Sequence, residues 1–210
     1  MLNDKIDNIK THQLETSQLD EIAELLALAF EKGSGLSQIC NATGEELHRR
    51  LRFIFQSGLA LQSTAKQQVL TVQKNEQIIG VAVFQEPELH VPLWAQIRWL
   101  LKVSFGISPF VAWHLWQSLR VFEQYHPPQP HYYLLLLGVH PYFQGRGYGG
   151  ALLNALHRRS EAHKIATGVY LETSNPQNVG LYKQFGYSLK GQVDVKGVHS
   201  FIMFRPNFVK

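Results

Sequence analysis

Seven residues, Gln144-Gly145-Arg146-Gly147-Tyr148-Gly149-Gly150, hold four glycines and one arginine. Glycine has no Cβ, so such a stretch can turn through positive φ and bring main-chain N–H groups within hydrogen-bonding distance of a ligand. Where those donors stand beside the positive end of a helix they suit a diphosphate, and Arg146 adds a cation. A glycine-rich turn needed only for close packing has the same composition, and the loop alone does not separate the two.

The elements on either side must hold that loop. Leu134 to Leu137 is an unbroken apolar run that reads as a strand buried on both faces; Val139 extends it and His140-Pro141 ends it, because proline cannot donate to a sheet. After the loop, Ala151, Leu152, Ala155 and Leu156 recur at helical spacing. The predicted unit is strand, glycine loop, helix.

The order Val139-x-Pro141-x-x-Gln144-Gly145-Arg146-Gly147-x-Gly149 resembles the acetyl-CoA-binding signature of the GNAT superfamily of N-acetyltransferases. That signature reads Q/R-x-x-G-x-G/A after a strand ending V-x-P. A Rossmann loop would read G-x-G-x-x-G and a P-loop would end in Gly-Lys-Ser/Thr; neither matches. Downstream, Leu171-Glu172-Thr173-Ser174-Asn175 and Leu181-Tyr182-x-x-x-Gly186-Tyr187 resemble the family's later strand and helix. The wording of both motifs is similar to a subgroup often described as puromycin-type or uncharacterised small-molecule N-acetyltransferases.

The resemblance implies an α/β fold with a mixed, mostly antiparallel central sheet of about six to seven strands flanked by helices. It implies acetyl-CoA as co-substrate, with Leu137, Gly138 and Val139 along the pantetheine arm. Gln144, Gly145, Arg146, Gly147, Tyr148, Gly149 and Gly150 would surround the diphosphate, and Asn175 and Asn178 would contact the cofactor, although relatives often carry a small apolar residue at the second position. A strand that splays from its neighbour would leave main-chain donors free for the arm and the carbonyl oxygen, and Gly138 sits where a bulge would be easy.

Acyl transfer to an amine also needs a proton for the departing thiolate and an uncharged amine. Tyr182 matches the tyrosine that in many relatives protonates the sulfur, placed on the first turns of its helix; it reads alternatively as an amphipathic core tyrosine. The central strand, Tyr132 to Val139, has no carboxylate where histone-type relatives place one. Glu172 is then the candidate base, by likeness to some ribosomal-protein acetyltransferases. It lies ten residues before Tyr182, where those relatives have two more, and it reads equally as a structural carboxylate paired with a cation. His131 and His140 flank the same strand, and catalysis by positioning alone stays open. No His/Cys/Asp cluster has metal-ligand spacing, so no metal is expected.

The chain of 210 residues, 45% hydrophobic, can bury a full core, and a single domain over residues 1–210 is expected. The single cysteine, Cys40, excludes an internal disulfide and reads as a small apolar residue. The first ten residues lack the apolar core of a signal peptide, so a cytoplasmic protein is expected. A net charge of +4, with scattered Lys and Arg, argues against a nucleic-acid partner.

Lys10 to Leu14 is predicted as a first strand, and Leu19, Ile22, Leu25, Leu26, Ala29 and Phe30 as the face of a helix that Gly33 and Gly35 stop. Residues 31–41 are a candidate rim for the acceptor pocket. Thr43-Gly-Glu-Glu46 matches a capping box, and the basic face of the helix it opens, His48, Arg49, Arg50 and Arg52, reads as solvated surface. Val69 to Gln73 and Ile78 to Phe84 read as a hairpin, and Tyr187 to Val195 with Val198 to Phe204 as another.

A helical insertion over about residues 88–128 separates the third and fourth strands, with helices predicted over Leu93 to Phe105 and Pro109 to Tyr125. Ala112, Leu115, Trp116, Leu119 and Phe122 form the second helix's apolar stripe, and all four tryptophans fall in this segment. Neither helix reaches the roughly 20 apolar residues of a membrane span. Three readings remain: a hairpin packed on the domain, an apolar lid for the acceptor, and a contact with a second copy (a homodimer) or a membrane surface. The expected activity is transfer of an acetyl group from acetyl-CoA to a primary amine, on a small molecule or peptide, by direct attack. The alternative is a non-catalytic acyl-CoA-binding sensor that docks a partner through the insertion.

Overall fold

The computed structural model describes residues 9–64, 68–89 and 91–208. Most of the amino-terminal stretch read for a signal peptide therefore lies outside the described residues. The strands are β1 (Ile9–Gln13), β2 (Gln68–Lys74), β3 (Gln77–Gln85), β4 (Tyr132–Val139), β5 (Gly168–Thr173), β6 (Ser188–Val195) and β7 (Val198–Pro206). The helices are α1 (Leu19–Phe30), α2 (Gly35–Cys40), α3 (Gly44–Thr64), α4 (Leu93–Gly106), α5 (Pro109–Glu123), α6 (Tyr148–Ala162) and α7 (Pro176–Gln184). All seven strands join one sheet in the order β1-β2-β3-β4-β5-β7-β6. Every neighbouring pair is antiparallel except β4 with β5, which gives the mixed α/β sheet expected.

A hydrophobic core forms on each face. On one, Ile22, Leu26, Leu51 and Phe55 of α1 and α3 meet Val69, Val81 and Val83, with Val103, Val111 and Leu115 of the insertion extending the cluster. On the other, Leu152, Leu153 and Leu156 of α6 meet Phe84, Tyr132, Leu134, Val169 and Leu171. The sheet's centre is thus covered twice, which is why β3 and β4 read as apolar runs instead of alternating patterns.

The β2–β3 hairpin closes where Asn75 and Glu76 take φ of 50° and 66°. Two local readings are corrected. Glu46 does not close a reciprocal cap: its carboxylate holds Arg49 at 2.7 Å and Arg50 at 2.5 Å. The basic face of α3 is not simply solvated either. His48 meets Glu31 at 2.6 Å and Glu24 at 3.1 Å, and Arg52 meets Glu24 at 3.2 Å, so much of this face is an ion-paired seam against α1.

The insertion is a helical hairpin, with Ser108 Oγ accepting the Phe110 N–H at 3.2 Å as the cap of α5. Trp99 turns inward, and its indole N–H donates to Ser57 of α3 at 2.9 Å. The buried side of α5 is Val111, Ala112, His114 and Leu115, whereas Trp116 and Leu119 of the predicted stripe face solvent. Of the four tryptophans, Trp94, Trp113 and Trp116 are exposed.

Candidate active site

The glycine loop lies between a short 3-10 turn over Pro141–Phe143 and α6, at the end of β4. Gln144 Nε2 donates to the Val139 carbonyl at 3.0 Å, tying the loop to the strand end. Gly145 and Gly147 take φ of 72° and 85°, and Gly147 is the N-cap residue of α6, with no side-chain cap on that helix. These two glycines answer a backbone demand that a Cβ would strain. Gly147→Ala is expected to cost about 1–2 kcal/mol of folding stability, read from the urea midpoint. Gly150 differs: a Cβ there would lie 2.7 Å from the Phe185 ring, so its smallness serves the packing of α6 on the end of α7. Arg146 sits with its guanidinium carbon 5.0 Å from the centre of the Tyr142 ring, and Tyr148 opens α6 beside Phe143.

Beside this loop the sheet comes apart. β4 and β5 are paired only at Tyr132 with Val169 and Tyr133 with Tyr170. Beyond those pairs, the edge of β4 from Leu134 to Val139 has no strand partner on the β5 side among the described residues, while its other edge stays paired with β3 as far as Val139 with Gly80. A register shift accompanies the divergence. It falls earlier than expected: Val83 faces Leu136 and Phe84 faces Leu134, so Leu135 is the extra residue. Gly138 is in register with Val81 and is small for another reason, since a Cβ there would stand 2.7 Å from Leu26 of α1.

Glu172 and Tyr182 belong to opposite faces of the sheet. Tyr182 packs with Val169, Leu171 and Tyr187 in the core beneath α6, and burial pushes its phenol up to about 12. It lies in the last turn of α7, not the first, a consequence of that helix spanning only Pro176–Gln184. Glu172, next after Leu171 on β5, faces the other way. Its carboxyl accepts the Tyr133 hydroxyl at 2.8 Å, and burial pushes it up to about 7. Asn175 caps α7, its Oδ1 accepting the Gln177 N–H at 3.0 Å, and Asn178 Nδ2 reaches Thr173 Oγ1 at 3.5 Å.

A family model described as the acetyltransferase (GNAT) family matches residues 22–187. The chain belongs to that family. Among solved structures it is similar to one described as histone acetyltransferase HPA2 and related acetyltransferase, from Corynebacterium glutamicum. That match has 19% identity, covers 97% of this chain and 98% of that one, and has a TM-score of 0.65. Arylalkylamine N-acetyltransferase 2 from Aedes aegypti matches at 15% identity over 96% and 100% of the two chains, with a TM-score of 0.60. The ribosomal-protein-S18-alanine N-acetyltransferase from Escherichia coli matches at 17% over 96% of each, with a TM-score of 0.52.

In this GNAT acetyltransferase the surroundings of Glu172 were not visible in the sequence. The Pro127–Pro130 connection folds His126 back onto His131, at 3.0 Å between Nδ1 and Nε2, and brings His126 Nε2 to 4.0 Å from Glu172 Oε1. Tyr133 and Tyr170 pack against the His126 ring. This is not an ion pair: burial and the neighbouring His131 push His126 down to about 4, while burial pushes Glu172 up. Glu172 Oε1 is buried and makes no hydrogen bond to any described residue. No local pattern marks His126, because only the return of the chain places it here. His140 instead caps the 3-10 turn, its Nδ1 accepting the Tyr142 N–H at 3.3 Å.

On the same face as Glu172, a cavity of about 260 Å³ opens between Gln38 and Ile39 of α2, Phe110 and His114 of α5, and Lys196 and Val198 at the β6–β7 turn. The candidate rim over residues 31–41 is thus largely the helix α2. Its first residue, Gly35, donates its N–H to Ser174 at 2.7 Å, just past the end of β5.

Proposed function

We propose that this acetyltransferase moves an acetyl group from acetyl-CoA to a primary amine by direct attack, without an acyl-enzyme. The observation that carries the reading is the divergence of β4 and β5 with a carboxyl of pKa about 7 on one face and a buried phenol on the other. An acetyl-CoA arm lying along the open edge of Leu137, Gly138 and Val139 would find main-chain donors for its amides and for the thioester oxygen. The first-turn N–H groups of α6, with Gln144 to Gly149 around them, suit its diphosphate. For Gly150, Asn175 and Asn178 the packing and capping contacts carry more weight, and a cofactor contact through their main chains or free amide atoms is the proposal.

Glu172 acts as the base on the acceptor face. A carboxyl poised near neutral pH takes a proton from an ammonium or attacking amine, and the unfilled hydrogen-bonding capacity of Oε1 gives that proton a place to go. Tyr182 donates to the departing thiolate on the cofactor face. The cavity beside α2 receives the rest of the acceptor; its side chains include Lys196 and His114 and no carboxylate, which favours a neutral or acidic group there. Two of the similar structures are named for N-acetylation, one of an arylalkylamine and one of a protein alanine, which supports nitrogen as the acceptor atom. A reducing, cytoplasmic setting accords with the lone thiol of Cys40, which is buried and raised to about 11.

The test is release of free coenzyme A thiol from acetyl-CoA across a panel of small amines and peptides. Turnover with any amine, and none with the matching alcohols, is the expected result. Tight acetyl-CoA binding without turnover across the whole panel would instead make the chain a cofactor sensor.

A further inference from the structure

The outward face of the inserted hairpin is apolar where a soluble surface would be polar. On α4, Trp94, Ile97, Leu101 and Phe105 recur at helical spacing and are exposed, Trp94 at 64% and Phe105 at 89%. On α5, Trp113 and Trp116 form a second outward row, their rings stacked at 4.8 Å. These side chains are not exposed because the hairpin has come away from the domain. Trp99 anchors it to Ser57, and Gly106 lies against the Phe53 ring so closely that no side chain would fit.

The charges on this face are predominantly positive. Arg98, Lys102 and Arg120 stand among the exposed residues, against one exposed carboxylate, Glu123, at the carboxy-terminal end of α5. Arg98 lies 5.5 Å over the Trp94 ring, so cation and aromatic share one patch. A second copy of the chain would bring the same three cations and only Glu123 to meet them. A phospholipid headgroup layer carrying negative charge supplies both needs: anions for the three cations, and an apolar layer just beneath for the rings. Tryptophans prefer that boundary, and Lys and Arg reach its phosphates. No described helix is long and apolar enough to cross a membrane, so the contact is with one surface.

We propose that the α4–α5 hairpin is a preformed docking face for an anionic phospholipid bilayer. The 210-residue protein is mixed with vesicles of phosphatidylcholine alone, or of phosphatidylcholine with phosphatidylglycerol, then sedimented while tryptophan emission is followed. The expected result is sedimentation with the anionic vesicles, a blue shift of the emission, and reversal of both by salt. Arg98→Gln and Lys102→Gln should each weaken the partition coefficient by about fivefold, since a surface cation contributes on the order of 1 kcal/mol near an anionic leaflet. Phe105→Ser should weaken it through the apolar side. Circular dichroism and acetyl-CoA binding of these variants should match the parent, which separates lost docking from lost fold. Absence of sedimentation with anionic vesicles overturns the proposal, and so does equal binding to neutral ones. A dimer in solution that Phe105→Ser converts to monomer, or a protein partner held by the same residues, without vesicle binding, would assign the face to that partner instead.

Discussion

Replacing Glu172 by Gln is expected to lower turnover by about a hundred- to ten-thousandfold, the range a positioned general base supplies, while acetyl-CoA affinity stays within about twofold. Parental turnover should rise with pH to a plateau, with its midpoint near the Glu172 pKa of about 7. In the variant that inflection should vanish. Stability should respond in the opposite direction. Folding raises this carboxyl from 4.5 to about 7, so the stability it contributes is fully present below its unfolded pKa of 4.5 and is lost as pH rises through 7. The loss is on the order of 3 kcal/mol, because the ionised group has nowhere wet to go. Glutamine keeps an acceptor for Tyr133 without that charge, so the variant's lead over the parent in urea midpoint should open between about pH 4.5 and 7 and stay constant above pH 7. His126 pulls the other way at lower pH. Its folded pKa of about 4 contributes stability that is present above 6.5 and lost as pH falls through 4, so the comparison belongs on the alkaline side. Parental turnover in the glutamine variant would remove the base, and a pH-independent stability difference would remove the buried ionisation.

Tyr182→Phe should reduce turnover by about a hundredfold or more and leave acetyl-CoA affinity and the urea midpoint nearly unchanged. The ring, not the hydroxyl, holds the position: it packs among Val169, Leu171 and Tyr187 at 7% exposure, and phenylalanine fills the same volume. The phenol stays protonated across the working range, since burial alone pushes it up to about 12, so it remains a donor at any pH at which the protein is assayed. Loss of stability without loss of rate would return Tyr182 to the core-packing role its sequence context also allows.

The helices and strands near this site were readable because their signals are local. Asn75-Glu76 and Lys196-Gly197 turn two hairpins through positive φ, Ser108-Pro109 opens α5, and the glycines of 145–150 end one element and begin the next. The candidate residues Glu172 and Tyr182 were legible through motif wording. What their neighbours would be was not. The alternation along β5 says that Leu171 and Glu172 point to opposite faces, but not that His126 would return across a proline-rich connection to stand 4.0 Å from the carboxylate.

The insertion shows the same limit from the other side. Its aromatic spacing correctly marked two helices, and buried packing was the ordinary inference, yet each helix carries apolar residues on both its inward and its outward side, and only the inward side finds a partner in the domain. The basic side of α3 differs in part: it looked solvated, and Arg49 and Arg52 are exposed, but His48 is held between Glu24 and Glu31 and Arg52 also meets Glu24. By itself the sequence determined which backbone conformation each stretch prefers and which residues share a face, because those follow from chirality, proline and glycine geometry, and periods of two and 3.6 residues. Only the tertiary structure decided which faces meet, where β4 leaves β5, and which carboxylate loses its water, because these depend on residues far apart in the chain that approach only on folding.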